Sequence, residues 1–551
     1  MSPSASSASL LARDLTLSFG PRTVLDGLSL SVAPGSRIGV VAPNGAGKTT
    51  LLRVLAGEIG PDRGTVRRSP PTATVGYLPQ EPERREHESV AHFLARRTGV
   101  AAASAELDAA SHSLGSAEPR ADERYAGALE RWLALGAADF EARAGTVWND
   151  IGLGAGLLEQ PMATLSGGEA ARASLAAILL SRFDILLLDE PTNDLDFDGL
   201  ERLEGFLGGG VTFVVVSHDR AFLERTIDTV VELDDHTHRA MEFAGGWLAY
   251  LEERATARRH AEEEYEVYRA RRDELLGRAR AQRQWAVTGV RKAKRQPKDN
   301  DKAQRDFFLN RTEKQAAKVR ITEKALDRLE EVEKPWQDWR LQLELAAAPR
   351  SGDVVARLSN AVVERGSFRL GPIDLDVGWA ERLAIVGPNG SGKSTLLGAL
   401  FGSIPLASGD AWLGPGVVVG EIDQARKLFT AERPLLDTFA IASGLVPRDA
   451  RSLLAKFGLD ADRVVRRTAT LSPGERTRAV LALLMAKGVN CLVLDEPTNH
   501  LDLPAIEELE RALATWPGTL LLVTHDRRLL ENARVDRTLR LSRGGGLTVQ
   551  A

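Results

Sequence analysis

Two lysines carry the chemistry this sequence offers most plainly. Lys48 ends the run Ala42-Pro43-Asn44-Gly45-Ala46-Gly47 and is followed by Thr49 and Thr50; Lys393 ends Gly387-Pro388-Asn389-Gly390-Ser391-Gly392 and is followed by Ser394 and Thr395. Glycines at this spacing let backbone N–H groups converge on one point, and an ammonium group beside them suits that point to phosphate. The lysines would reach the outer phosphates of a nucleotide, and the hydroxyls of Thr49 and Ser394 would ligate magnesium. Farther along, two apolar runs end in Asp189-Glu190 and Asp495-Glu496. The aspartates are expected to hold magnesium through water, and the glutamates to polarise an attacking water. His218 and His525 follow the aspartates by 29 and 30 residues. A lone histidine at a strand end is more often a plain hydrogen-bonding residue, but the repetition makes both candidate sensors of a γ phosphate. Gln80 and Gln424 are the candidate glutamines for magnesium and water, the second in a segment that matches the first poorly.

These residues recur because the chain repeats itself, and a duplication constrains the fold before any other feature. Leu165-Ser166-Gly167-Gly168-Glu169 returns as Leu471-Ser472-Pro473-Gly474-Glu475, so that four motifs appear twice in one order. The lysines are offset by 345 residues and the motif serines by 306, which leaves 118 residues between lysine and serine in the first half and 79 in the second. The surplus falls in 88–144, rich in Ala, Glu and Arg, and reads as an enlarged helical arm. Each lysine follows a short apolar strand, Ile38 to Val41 or Leu383 to Val386, and opens a helical pattern, the setting a phosphate loop requires. Paired acids at strand ends then lie at the carboxyl edge of a parallel sheet, where ligands of such folds bind.

Composition limits the alternatives. With 43% hydrophobic and 27% charged residues the chain is a multidomain globular protein, and its apolar runs are far shorter than the roughly 20 residues a spanning helix needs. The opening residues 1–9 read as a loose tail without the pattern of a secretion signal, so the expected compartment is the cytoplasm. The single cysteine, Cys491, reads as a buried strand residue and excludes an internal disulfide, a cysteine-built zinc site and an iron–sulfur cluster.

In these motifs and their order the chain resembles the ATP-binding-cassette superfamily over nearly its whole length. The resemblance implies ATP and Mg2+ as cofactors and two composite sites. One joins Lys48, Glu190 and His218 to Ser472, Gly474 and Glu475; the other joins Lys393, Glu496 and His525 to Ser166, Gly167, Gly168 and Glu169. It also places Phe19 against the first adenine. Counting 29 residues back from Lys393 gives Glu364, which leaves Arg365 or nothing for the second. Ala42 and Pro473 stand where the family has glycine, and proline has no N–H to donate. Both departures fall in the first composite site. An alanine there is tolerable if its backbone angle is ordinary.

Tandem domains, the string Asp495-Glu496-Pro497-Thr498-Asn499-His500-Leu501-Asp502 and a charged segment between the halves resemble the ABC-F branch. The expected fold is α/β: two ABC-type P-loop domains, 10–251 and 346–551, joined by a long antiparallel helical hairpin at 252–345. From Arg278 to Arg320 there are 14 Lys or Arg against 4 Asp or Glu, and 8 of the 13 lysines lie between Lys292 and Lys334, although the whole chain has a net charge of -5. Such a surplus fits contact with a polyanion; a solvated helix face explains only the mixed charges before it. Pro297 marks the hairpin tip. Trp285, Arg291, Lys292, Lys294, Arg295, Lys298, Lys302 and Arg305 are the candidate RNA contacts. By the resemblance the partner is the ribosome, its large-subunit RNA and peptidyl-site tRNA, bound by one chain acting as a monomer. The expected role is antibiotic resistance by ribosomal protection. The alternatives are a housekeeping translation factor of the same family and the ATPase subunit of a separately encoded exporter.

Overall fold

The runs Ile185-Leu186-Leu187-Leu188 and Leu492-Val493-Leu494 have no polar face, so both of their sides must be covered. In the computed structural model each lies inside a six-stranded sheet. The structure describes residues 7–80, 83–114, 120–234, 237–295 and 350–550, apart from 367, 423–427, 431, 472, 500 and 543; between 296 and 349 it describes 321, 324–326 and 329.

The first half begins with β1 (Ser9–Phe19), β2 (Arg22–Val32), β3 (Arg37–Val41), β4 (Arg63–Ser69) and β5 (Val75–Leu78). It continues with β6 (Ile185–Asp189), β7 (Thr212–Val216), β8 (Thr229–Leu233) and β9 (Ala240–Ala244). The main sheet runs β5-β6-β7-β3-β8-β9, parallel except for the β8–β9 pair, and β2-β1-β4 form a separate antiparallel sheet. The second half repeats this plan. It has β10 (Val354–Arg365), β11 (Phe368–Gly378), β12 (Arg382–Val386), β13 (Ser408–Leu413) and β14 (Val419–Glu421), then β15 (Cys491–Asp495), β16 (Thr519–Val523), β17 (Arg537–Leu541) and β18 (Leu547–Gln550). Its sheets are β14-β15-β16-β12-β17-β18 and β11-β10-β13.

The order places β3 and β12, which lead into the lysine loops, next to β7 and β16, which lead into the histidines, and one strand from β6 and β15, which end in the paired acids. Parallel neighbours bring all these carboxyl ends to one edge. Helices Lys48–Ala56 and Lys393–Leu400 start there and bury Leu51, Leu52 and Leu55, or Leu396, Leu397 and Leu400, against the sheets. Cys491 is fully buried in β15.

The first half's additional helices are Val100–Ser113 and Ala121–Ala134. They are tied together by Arg131 Nη1 on Glu106 Oε2 at 2.6 Å and by Trp132 Nε1 donating to Ser104 Oγ at 3.0 Å. Residues 1–249 and 341–551, which hold both halves, form one compact unit, and Tyr250–Arg340 form another. A single helix spans Gly246–Arg295. Its exposed faces carry ion pairs one turn apart, such as Arg258–Glu262 and Arg278–Glu274, which stabilise a solvated helix by a few tenths of a kcal/mol each. No described helix is long and apolar enough to cross a membrane.

Candidate functional site

Both lysine loops close on themselves in the same way. Lys48 Nζ donates to the Ala42 carbonyl at 2.8 Å and to Asn44 Oδ1 at 3.3 Å; Lys393 Nζ donates to the Gly387 carbonyl at 2.8 Å and to Asn389 Oδ1 at 3.4 Å. Gly47 and Gly392 lie in the left-handed region, at φ of 102° and 97°, and a Cβ there would fall 2.6 Å from Val24 Cγ1 or from Phe368 Cζ. These glycines are fixed both by backbone angle and by space. Ala42 has a negative φ, as an alanine requires, whereas Gly387 has a φ of 157°.

The acids and histidines meet the lysines in two matching clusters. His218 Nε2 lies 3.2 Å from Lys48 Nζ and 3.2 Å from Glu190 Oε1, and the His218 backbone N–H donates to Glu190 Oε2 at 3.3 Å. His525 Nε2 lies 2.9 Å from Lys393 Nζ and 3.3 Å from Glu496 Oε1, and its backbone N–H donates to Glu496 Oε2 at 3.3 Å. Glu190 and Glu496 both adopt positive φ, 48° and 47°, a strained conformation held in both copies at the end of the strand. Burial pushes the Glu190 carboxyl up to about 7, with the Lys48 ammonium opposing, and the Glu496 carboxyl up to about 8 against Lys393. Burial also drives both imidazoles down to about 3 and lowers both ammonium groups. The histidines are therefore neutral, and the glutamates titrate near neutrality, as suits a general base.

Oxygen ligands suited to Mg2+ adjoin each cluster. Ser394 Oγ donates to Asp495 Oδ2 at 2.6 Å, and Thr49 hydrogen-bonds Asp189, which burial raises above the usual carboxylate range. A hard cation takes such hydroxyl and carboxylate oxygens. Gln80 lines a cleft of about 510 Å³ together with Asp189 and Glu190. Gln424 lies outside the described residues.

The second composite site is assembled across the halves. A cavity of about 480 Å³ brings Ser166, Gly167, Gly168 and Glu169 to Asn389, Gly390, Glu496 and His525. Ser166 caps helix Gly167–Leu180 in a reciprocal box: Ser166 Oγ accepts from the Glu169 N–H at 3.4 Å, and Glu169 Oε2 accepts from the Ser166 N–H at 2.9 Å. The first N–H groups of that helix therefore face the opposite phosphate loop, where an anion is favoured. For the other composite site, Ser472 lies outside the described residues. Pro473 and Gly474 begin helix Pro473–Ala486, and Glu475 is buried, paired with Arg463 at 3.0 Å.

Two functional residues escaped the sequence reading. Asp196 caps helix Phe197–Leu207 with Oδ1, and its Oδ2 accepts from the Asn389 N–H at 3.0 Å; Asp502 caps Leu503–Ala514 and accepts from the Asn44 N–H at 3.2 Å. Each aspartate clips its own half to the other half's phosphate loop. The signal was present, since both close the repeated eight-residue strings that begin at Asp189 and Asp495, but nothing in spacing names a partner on the opposite half.

Phe19, at the end of β1, is 52% exposed, as a surface for a nucleobase must be. In sheet register Arg365, one of the two alternatives left for the second half, is its counterpart: Phe19 opposes Arg22 as Arg365 opposes Phe368, although the count of 29 residues lands on Glu364. Trp285, Arg291, Lys292, Lys294 and Arg295 fall within helix Gly246–Arg295, while Lys298, Lys302 and Arg305 lie outside the described residues.

Comparison with known proteins gives the family. The ABC transporter family model matches residues 25–193 and 370–499. The chain is 36% identical to the tylosin resistance ATP-binding protein TlrC of Streptomyces fradiae over 95% of each chain. It is 32% identical to the energy-dependent translational throttle protein EttA of Mycobacterium tuberculosis over 93% of this chain and 88% of that one, and 30% identical to ABC transporter F family member 5 of Arabidopsis thaliana over 95% and 73%. Among solved structures, the RNase-L inhibitor shares the fold, with a TM-score of 0.58 at 18% identity over 98% of this chain and 90% of that one. The chain belongs to the ATP-binding cassette family, in its ABC-F branch.

Proposed function

We propose that the chain hydrolyses ATP with Mg2+ at two composite sites, and that it uses this cycle to bind and release the ribosome in the cytoplasm, protecting it from an antibiotic. The observation that carries the ATPase reading is the cavity in which the Ser166 end of one half faces Asn389, Gly390, Glu496 and His525 of the other. Magnesium held near Ser394 and Asp495, or near Thr49 and Asp189, would offset charge on the phosphates. The lysines bind those phosphates, the buried glutamates take a proton from water, and the neutral histidines orient the glutamates. Nucleotide sandwiched between the halves favours the closed pair, and its cleavage releases it.

The ribosome enters through two lines of support. The names of TlrC and EttA assign them tylosin resistance and translational throttling, and the segment Arg278 to Arg320 has a surplus of ten positive charges over negative ones. A housekeeping translation factor is the second reading, supported by the likeness to EttA; the exporter-subunit reading gives the basic segment no use. By this proposal 10–251 and 346–551 are the nucleotide-binding domains, 252–345 the segment that meets RNA, and the chain acts as a monomer.

The test is ribosome pelleting of the Glu190→Gln, Glu496→Gln double variant with ATP, with and without 291–306. Co-sedimentation that needs both ATP and the segment is expected; a trapped protein left in the supernatant at low salt overturns the reading. Growth of a susceptible host with the wild-type chain under ribosome-directed drugs then separates resistance from a housekeeping role.

A further inference from the structure

A histidine used in catalysis ordinarily has its ring fixed by a hydrogen bond on the nitrogen that faces away from the reaction. Neither His218 nor His525 has one: Nδ1 of each is buried without a hydrogen-bond partner. The second site supplies another restraint, and it comes from the opposite half. The Phe197 ring meets the His525 ring edge to face, with centroids 5.2 Å apart and planes at 76°. Phe197 is itself clamped. The Arg527 guanidinium lies 5.8 Å from its centroid, and the same guanidinium donates to Glu204 Oε1 at 2.7 Å, one side of a salt bridge to the helix that Phe197 begins. Asp196, one residue earlier, holds the Asn389 N–H at 3.0 Å. A single helix start thus touches the phosphate loop, the histidine and the residue two beyond it.

Among the described residues the first site lacks this restraint. Asp502 repeats the clip on Asn44, and Arg220 repeats the salt bridge, donating to Glu510 at 3.1 Å, but the residue after Asp502 is Leu503, which has no ring to set against His218. We propose that Phe197 is a positioning residue for the ATP site of the opposite half, holding the His525 ring against Glu496, so that hydrolysis at the Lys393 site depends on closure in a way that hydrolysis at the Lys48 site does not. This rests on the ATPase reading above. An edge-to-face contact restricts ring rotation without competing for either nitrogen, which leaves Nε2 open to a phosphate in place of Lys393.

The test introduces Phe197→Leu, the residue of the other half, into the full chain carrying either Glu190→Gln or Glu496→Gln. With Glu190→Gln, where the Glu496 site turns over, kcat is expected to fall about tenfold while KM for ATP stays within twofold. With Glu496→Gln, the same change should move kcat less than twofold, and Phe197→Tyr, which keeps the ring, should restore turnover in the first background. An equal loss in both backgrounds, or a loss carried by KM, overturns the proposal. Imidazole NMR gives a readout independent of turnover: Phe197→Leu should shift the His525 ring protons and leave those of His218 in place. If the wild type turns over no ATP, the ATPase reading fails by itself; an unmoved His525 signal then overturns the Phe197 contact, and a shifted one upholds it.

Discussion

The two halves of this chain build the same cluster of lysine, glutamate and histidine, yet they reach it by different residues. One loop starts with Ala42 at negative φ and the other with Gly387 at 157°; one β-hairpin has Phe19 at its turn and the other Arg365; one helix start offers Phe197 across the interface and the other Leu503. What the halves share is the set of groups proposed to meet phosphate and water, and what separates them is the set that frames those groups. Duplication has kept the first and let the second drift, so the sites are expected to run the same reaction with different tolerance.

The shared chemistry gives the largest expected effect. Replacing both glutamates, Glu190→Gln and Glu496→Gln, should lower ATP turnover at least 100-fold, within the range of about 10²–10⁴ for loss of a general base. The same groups set a pH dependence. Burial raises their carboxyls to about 7 and about 8, and a carboxylate is a base only when deprotonated. Turnover should therefore fall as pH drops through that window, along a limb in kcat/KM, which reports the free enzyme. Each single glutamine variant should remove its share of the limb, the Glu496→Gln chain keeping the lower midpoint. A limb centred near 4 in both would mean that burial does not govern these groups.

Next comes the reciprocal clasp between the halves. Arg220 pairs with Glu510, their side chains 13% and 9% exposed, and Arg527 pairs with Glu204 at 19% and 15%. Breaking a buried pair by removing one partner costs about 3–5 kcal/mol, because a charge is left unpaired, while replacing both partners by apolar residues is often neutral. Arg220→Met should thus lower the thermal midpoint sharply, and Arg220→Met with Glu510→Met should recover most of it. Arg527→Met should cost less, since its pair is wetter and Glu204 keeps a second partner in Arg225 at 3.1 Å. Equal losses at the two pairs would erase this difference between halves.

The clasp also marks what a sequence can disclose. The phosphate loops, the paired acids and the histidines were legible because each is a short string with one spacing, and because each occurs twice. The parallel strands beside these motifs were legible as short apolar runs that end in them, as at 185–188 and 492–494. Contacts between the halves were not: Arg220 and Glu510 are 290 residues apart, and nothing in either neighbourhood specifies the other. That the count lands on Glu364, one residue short of Arg365, has a local cause. β1 and β2 pair Leu17 with Leu25 but Ser18 with Thr23, so Val24 is bulged, while β10 and β11 pair Val363 with Leu370 and Glu364 with Arg369 without a bulge. One extra residue in the first half shifts any count made from the lysine, and a bulge leaves no mark in composition.

The phosphate loops differ on a smaller scale. A Cβ on Gly387 would lie 2.4 Å from the Leu541 carbonyl oxygen and 2.9 Å from Ser391 Oγ. Backbone cannot yield cheaply, and overpacking of this kind costs about 1–3 kcal/mol. Gly387→Ala should weaken ATP binding at the second site about tenfold by calorimetric titration, and Ala42→Gly should change the first site less than twofold. If Gly387→Ala binds like wild type, the two loops are equivalent and the alanine of the first half has no structural meaning.

The smallest expected difference concerns the base. Stacking of a base on an aromatic ring is worth about 1–3 kcal/mol, and the 52% exposure of Phe19 puts it at the low end, so Phe19→Ala should raise the Kd for ATP at the first site about fivefold. Arg365 can offer only a solvated guanidinium face, worth about 0.5–1 kcal/mol at an exposed position. Its replacement by alanine should change the second site about twofold, and Arg365→Phe should tighten it toward the first. Because the ring reads only the flat face of a base, both sites should lose selectivity between purines less than they lose affinity. A Phe19→Ala chain that binds ATP unchanged would show that this hairpin does not meet the base, and the contrast between Phe19 and Arg365 would then lose its meaning for nucleotide binding.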